Sequence, residues 1–389
     1  MISARSSRAH TRVPLVALVS LVSLVSLVAC GACGGRSDAT PSGTAPPVAA
    51  DGGPGPAAVT CDASSAIGIA VSSNDLNGFP PYAVAGCTLA YVSAAGDLVV
   101  RDLAAGTEAV VAPATERPRR PAASTTLIAW EADENGRSVV RIRAGGVVQT
   151  ARGAFQAAGE PRASGASVVF TAWNGPAAAD DTDVWLYDAT AVEPRARIAI
   201  GGPGQQRFAD VSTDYVAVSD FGEDPDLRFD DDGKDLADVV VLERVTGRVV
   251  RRRLAGKQAF PMLADGGVLA YLDWSGIHPE PKFVRYQLRS GAVLGDPAAD
   301  RSIADVVYAS SDYARPAVSD GTLEWIANPD GRTTLYRAPA DGSSAALAVK
   351  GLEELRLYAP SPTSAGFTVL AASRLDGAES LPRLRAVAR

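Results

Sequence analysis

Histidine is nearly missing from this chain of 389 residues: there are two, His10 and His278. A zinc site built on several imidazoles is therefore excluded, and any imidazole catalysis would rest on His278. Lysine is as scarce, with four residues against 33 arginines, and the net charge is −7. No polybasic tail is present and lysine-rich patches are missing, so phosphate backbones are poor partners and no nucleic acid is expected. No Gly-x-Ser-x-Gly elbow and no glycine-rich phosphate loop ahead of a helix occurs, which removes two common catalytic frameworks. Helical periodicity is almost absent beyond residue 60. What is plentiful is apolar residues, 47%, together with 37 Gly and 26 Pro. That combination gives a sizeable core cut by many tight turns.

The N-terminal residues read as an export signal. Arg5, Arg8 and Arg12 precede an apolar stretch over 13–28, shorter than the roughly 20 residues a membrane span needs. It ends in Leu27-Val28-Ala29-Cys30, which resembles a bacterial lipobox. Cleavage before Cys30 and lipidation of its thiol are expected; an ordinary signal peptide with an incidental cysteine is the alternative. Gly31 rather than Asp follows, a pattern associated with sorting to the outer membrane. Residues 30–60 are rich in Gly, Pro, Ala, Ser and Thr and read as a lipidated, flexible linker, able to span roughly 100 Å if extended. The folded body is expected over 61–389. It holds Cys61 and Cys87, which an oxidising compartment would pair, and Cys33 is left over.

The body carries short apolar runs, such as Leu89-Ala-Tyr-Val92, Leu127-Ile-Ala-Trp130, Val168-Val-Phe170 and Val268-Leu-Ala-Tyr271, separated by Gly, Asp, Asn or Pro. Seven such runs recur every 40–55 residues, a period that points to a propeller or solenoid. A proline precedes the run at 81, 121, 161, 261, 316 and 360, with Ala209 in its place once. Ser124, Ser164, Ser212, Ser319 and Thr363 stand three residues later, where a short hydroxyl suits a turn. A second alternating strand follows each run, at 97–103, 138–144, 183–189, 238–245, 283–290, 333–339 and 381–389. The 329 residues of the body divide into seven units of 47, the size of a four-stranded blade. Only three strands fit in the last unit, so the run 66–71 is expected to supply the fourth and close the ring.

These repeats resemble the TolB-type, or WD40-like, propeller repeat over nearly all of 61–389. The matching stretches are Pro316-Ala-Val-Ser-Asp-Gly-Thr-Leu, Asp183-Val-Trp-Leu-Tyr-Asp188 and Asp97-Leu-Val-Val-Arg-Asp102. The resemblance implies an all-β fold, a propeller of about seven four-stranded blades, and speaks to architecture more than function. The aromatic that the family places in the Pro-x-x-Ser motif is mostly missing here, as are the Gly-His and Trp-Asp marks of eukaryotic WD repeats.

Function is expected where connections are longest. The loops between second and third strands are short in the first, second and sixth units and long in the third, fourth and fifth, at 174–182, 221–237 and 275–282. Consecutive blades would bring these three together on one face. The fourth-blade loop is strongly acidic. Asp220, Glu223, Asp224, Asp226, Asp230, Asp231, Asp232, Asp235 and Asp238 face only Arg228 and Lys234, a net charge of −7. Three outcomes stay open: a solvated loop, a Ca²⁺ site on Asp230, Asp232 and Asp235, or a surface for a basic partner built on Glu223, Asp224, Asp226 and Asp231. In the fifth loop Trp274 and His278 are candidates for partner contact; the alternatives are packing within the blade for Trp274 and a plain surface position for His278. No catalytic residue and no obligatory cofactor is assigned.

The resulting expectation is a monomeric, non-catalytic, lipid-anchored propeller of the cell envelope. It would sit at the outer membrane, facing the periplasm or the cell surface, and bind an envelope protein or cell-wall glycan. The alternative is a carbohydrate-active propeller enzyme, a glycoside hydrolase or lyase, using acids of the same face.

Overall fold

The run Leu127–Glu134 explains why the apolar stretches are continuous rather than alternating. Ala129 on one side of this strand packs with Val168 and Phe170, while Ile128, Trp130 and Ala132 on the other pack with Val92 and Leu98. A strand sandwiched between two neighbours must be apolar on both faces. The computed structural model describes residues 60–389 except 77, 176–180, 192–194, 223–236, 265, 276–283, 309–313, 329, 331 and 376–380. Within them the chain forms seven antiparallel blades in sequence order, over 82–112, 119–150, 157–200, 206–252, 258–308, 317–348 and 355–388. The fold is the all-β, seven-bladed propeller expected from the repeats. The signal, Cys30 and linker assignments lie outside the described residues.

Pro81, Pro316 and Pro360 stand just ahead of strands that begin at Tyr82, Ala317 and Ser361, but in blades 2 to 5 the column marks a bulge inside the first strand. Arg120, Glu160, Phe208 and Phe260 all have positive φ, between 51° and 56°, and each stands just before Pro121, Pro161, Ala209 or Pro261. The ladder between first and second strands shifts register at these points in all four blades. Left-handed backbone costs an ordinary residue roughly 1–2 kcal/mol. A bulge leaves a residue outside the ladder, so the missing proline N–H goes unneeded.

Ring closure comes from the N-terminal side. The Gly68 N–H donates to Leu384 O (2.9 Å), the Leu384 N–H to Ile69 O (2.9 Å) and the Val71 N–H to Pro382 O (3.0 Å). Residues 68–71 thus lie alongside Arg383–Ala388, the last strand of blade 7. The closing strand is shorter than the expected 66–71, because Ala63–Ala66 is a 3-10 turn capped by the Asp62 carboxylate. Ala66 and Val71 join Leu89 and Tyr91 of blade 1 and Val369 and Leu384 of blade 7 in one core. Cys61 and Cys87 form a disulfide with a Cα–Cα distance of 5.2 Å, tying the start of this segment to the first hairpin turn of blade 1. Tyr82 seals the seam: its hydroxyl donates to Ala359 O (2.6 Å) and accepts from the Ala371 N–H (2.9 Å).

Candidate functional site

The long connections of blades 3, 4 and 5 leave the propeller from braced roots. In blade 4 the strands Tyr215–Asp220 and Asp238–Glu243 end with Asp220 and Asp238 directly opposite each other. Two buried carboxylates side by side repel, and the sequence supplies the counter-charge from the next strand. Arg251 forms ion pairs with both Asp220 and Asp238, the latter at 2.8 Å, and Arg253 adds a third contact to Asp238 at 3.1 Å. Burial lowers the Arg251 pKa, but hydrogen bonds to Asp238 and Asp220 outweigh it and hold the group above its ordinary value. Gln206 completes the bracket through a 3.0 Å bond from Nε2 to Asp220 Oδ1. Blade 5 repeats the device with Gln258, Asp273 and Arg289, at 3.1 and 3.2 Å. Blade 3 uses Asn174, whose Nδ2 donates to Asp181 (3.1 Å) and Asp183 (2.7 Å).

Of the acids counted in the fourth-blade connection, Asp220 and Asp238 therefore belong to the blade and are already neutralised. Glu223, Asp224, Asp226, Asp230, Asp231, Asp232, Asp235 and His278 lie outside the described residues. Among the described residues no three His, Cys, Asp or Glu side chains gather as metal ligands would. Trp274 is a correction. It is 1% exposed, with its ring 6.2 Å from Phe260 and 5.6 Å from Tyr286, so it is a core residue and offers no surface to a partner. Its neighbour across the loop roots, Phe221, is equally buried and packs edge-on against Phe208 at 6.0 Å.

Phe208 and Phe260, on the innermost strands of blades 4 and 5, belong to an aromatic plug with Phe79. Phe79 stacks with Phe208 (6.0 Å), and Phe208 meets Phe260 at 4.3 Å. Three guanidiniums cover Phe79: Arg120 at 5.0 Å, Arg162 at 5.4 Å and Arg315 at 5.9 Å. Ion pairs surround it: Arg120 holds Glu131 within blade 2 (3.2 Å) and Asp75 ahead of blade 1 (2.9 Å), and Arg207 of blade 4 pairs with Glu160 of blade 3. The left-handed bulge residues Arg120, Glu160, Phe208 and Phe260 are members of this plug.

Beyond the plug the axis is open. A cavity of about 370 Å³ is lined by first-hairpin residues of all seven blades, including Gly86, Ser124, Ser164, Ser212, Ser319 and Thr363. The hydroxyl column singled out in the sequence thus rings a channel mouth. Some of these hydroxyls are committed, Ser124 to Gly165 O (2.6 Å) and Thr363 to Gly86 O (2.9 Å). A deeper cavity of about 190 Å³ continues inward, sharing Val84, Ala123, Ala163, Asp210, Val318 and Pro362 with the mouth and reaching Arg162 and Arg315. Asp210 Oδ2 accepts the Leu263 N–H at 2.8 Å. Burial pushes its pKa up, against the opposing pull of Arg315, the Leu263 N–H and Arg162. Burial likewise lowers the pKa of Arg162, against Asp210, Glu160 and Asp75. Sequence reasoning missed these three residues. Arg162 and Asp210 each stand one place after the proline column, a position that Tyr82, Ala122, Met262, Ala317 and Ser361 fill elsewhere.

Neither a protein-family model nor a curated protein sequence matches the chain. Solved structures do. The β-propeller domain of the trilobed protease from Pyrococcus furiosus, described as having an open velcro topology, is similar at 11% identity and a TM-score of 0.56, covering 82% of this chain and 93% of its own. The acylaminoacyl peptidase of Pyrococcus horikoshii matches at 10% identity and TM-score 0.50, over 84% of this chain and 53% of the peptidase. TolB from Acinetobacter baumannii matches at 16% identity and TM-score 0.41, over 74% and 65%. What the chain shares with the Pyrococcus propeller is the fold, built here as a seven-bladed β-propeller whose ring is closed by its own residues 68–71.

Proposed function

We propose that this protein is a non-catalytic, lipid-anchored propeller of the cell envelope that presents its long-loop face to an envelope protein or cell-wall glycan. The observation that carries this reading is the repeated bracket at the loop roots. Gln206–Asp220–Arg251 and Gln258–Asp273–Arg289 fix the exits of two long connections from adjacent blades, and Asn174 does so for a third. Rigid roots on consecutive blades are what a display surface requires, because they limit the ordering cost of binding. Anchoring through Cys30 and an outer-membrane address belong to the same proposal and rest on the lipobox-like sequence.

The test is cross-linking capture from intact cells, with the full chain and with a variant lacking 223–236. That variant keeps Phe221, Gly222 and Ala237, so the paired ends Asp220 and Asp238 remain joined by a short turn. A partner or sacculus fragment held by the full chain and lost by the variant is the expected result. Capture of the same set by both would overturn the face assignment. Turnover of a cell-wall glycan by the full chain, abolished in the variant, would replace this reading with that of a carbohydrate-active enzyme.

A further inference from the structure

The inner well of the channel is lined by two guanidiniums in a protein of net charge −7. Arg162 and Arg315 line it, and Asp210 is the carboxylate there. Arg315 is fixed by its own chain, with Nη2 donating to Phe208 O (3.2 Å) and Pro261 O (3.1 Å). Arg162 is held differently. Its guanidinium rests over Phe79, and among the described residues it makes no hydrogen bond or close ion pair. A guanidinium carries five N–H donors, and leaving them unused in a recess is costly unless a ligand or water takes them.

We propose that this well binds the carboxylate end of a slender ligand that enters through the hydroxyl-ringed mouth. The site is on the axis and independent of the long-loop face. Charge selects the anion. Among the lining residues two guanidiniums stand against one carboxylate, while Glu160 and Asp75 act on Arg162 from beyond the lining, so the well can pair with a singly charged anion and has no surplus for a second charge. A phosphate, at about −1.5 to −2, would overfill the well beside Asp210. Shape selects the same group, since a carboxylate fits the planar fork of arginine. Slenderness follows from the size of the well, about 190 Å³. Two sources share this chemistry: the C-terminal end of an extended peptide and a small free organic acid.

The experiment is calorimetric titration of the full-length protein with tetra-alanine, its C-terminal amide, acetate and inorganic phosphate. The acid should bind at least about tenfold more tightly than the amide, since only it reaches the guanidiniums with a charge. Arg162→Gln should erase that difference, and Asp210→Asn should strengthen binding of the acid by removing the opposing charge. Affinity that rises from acetate to tetra-alanine identifies a chain end; equal affinity identifies a small acid. The proposal falls if acid and amide bind alike, if neither binds at about 10 mM, if phosphate binds more tightly than acetate, or if the acid preference survives in Arg162→Gln. The acid–amide comparison uses the unaltered protein, so it decides the matter even where a variant fails to fold. Loss of channel binding with loop-dependent capture intact would overturn this site alone, and the converse would overturn only the display face.

Discussion

Arg252 of blade 4 and Asp300 of blade 5 form an ion pair with side-chain exposures of 1% and 2%. The arginine also donates to three carbonyls of the blade 5 turn, Ala292 (2.8 Å), Val293 (3.1 Å) and Gly295 (2.8 Å), and Tyr271 donates to Asp300 at 2.8 Å. Gly291 is required beside it, because a Cβ there would stand 1.7 Å from the Asp300 carboxylate. The two blades are thus pinned at their outer edge by a densely bonded polar cluster.

Asp300→Asn should destabilise the protein by about 3–5 kcal/mol, because it strands the Arg252 charge away from water. Replacing both residues, Arg252→Met with Asp300→Leu, should cost far less. Urea midpoints of the three proteins check this, and an equal loss in single and double variants would contradict it.

Tyr82→Phe removes a hydroxyl that serves two backbone groups at the seam between blades 1 and 7. Leaving Ala359 O and the Ala371 N–H without it should cost about 2–4 kcal/mol in all. The loss should appear first as faster hydrogen exchange in 367–374, the strand beside the seam, rather than uniformly.

Trp274→Ala tests the core assignment. Removal of a fully buried indole should cost about 3–5 kcal/mol, read from thermal or denaturant unfolding. A surface contact residue would leave stability within about 0.5 kcal/mol of the parent.

Asp210→Asn should raise stability at neutral pH. Its folded-state pKa is raised, so the neutral form is favoured in the fold and ionisation costs stability as pH rises through that value. Below about pH 4, the ordinary aspartate value, the residue is neutral folded and unfolded, and the gain should vanish. The groups facing it are Arg315, Arg162 and the N–H groups of Leu263 and Val211. Melting curves from pH 4 to 8 give the sign directly.

The fold was legible because each blade repeats the same local chemistry. The apolar run, the hydroxyl turn and the second alternating strand recur around the ring, and an exception in one unit is corrected by the others. The closing strand was legible from an arithmetic deficit in the last blade. The site was harder to read for the opposite reason, since it is made where the repeats differ. Trp274 ends an apolar run and begins a loop, and sequence cannot say which neighbour it turns toward. Arg162 and Asp210 are single exceptions in a column of mostly small or apolar residues. The bulges at Arg120, Glu160, Phe208 and Phe260 carry no signal of their own beyond the proline that follows three of them.

The position of the disulfide decides how the ring bears load. Tension applied to the chain ahead of Cys61 meets the Cys61–Cys87 bond before it reaches the backbone bonds of residues 68–71. The force passes into the first hairpin of blade 1 and around the ring, while the closing strand stays slack. Peeling that strand would otherwise be the easiest way to unzip the propeller, one hydrogen bond at a time. With the thiols oxidised, the protein is a mechanical shackle whose weakest clasp is kept out of the line of pull; reduction would put it back in.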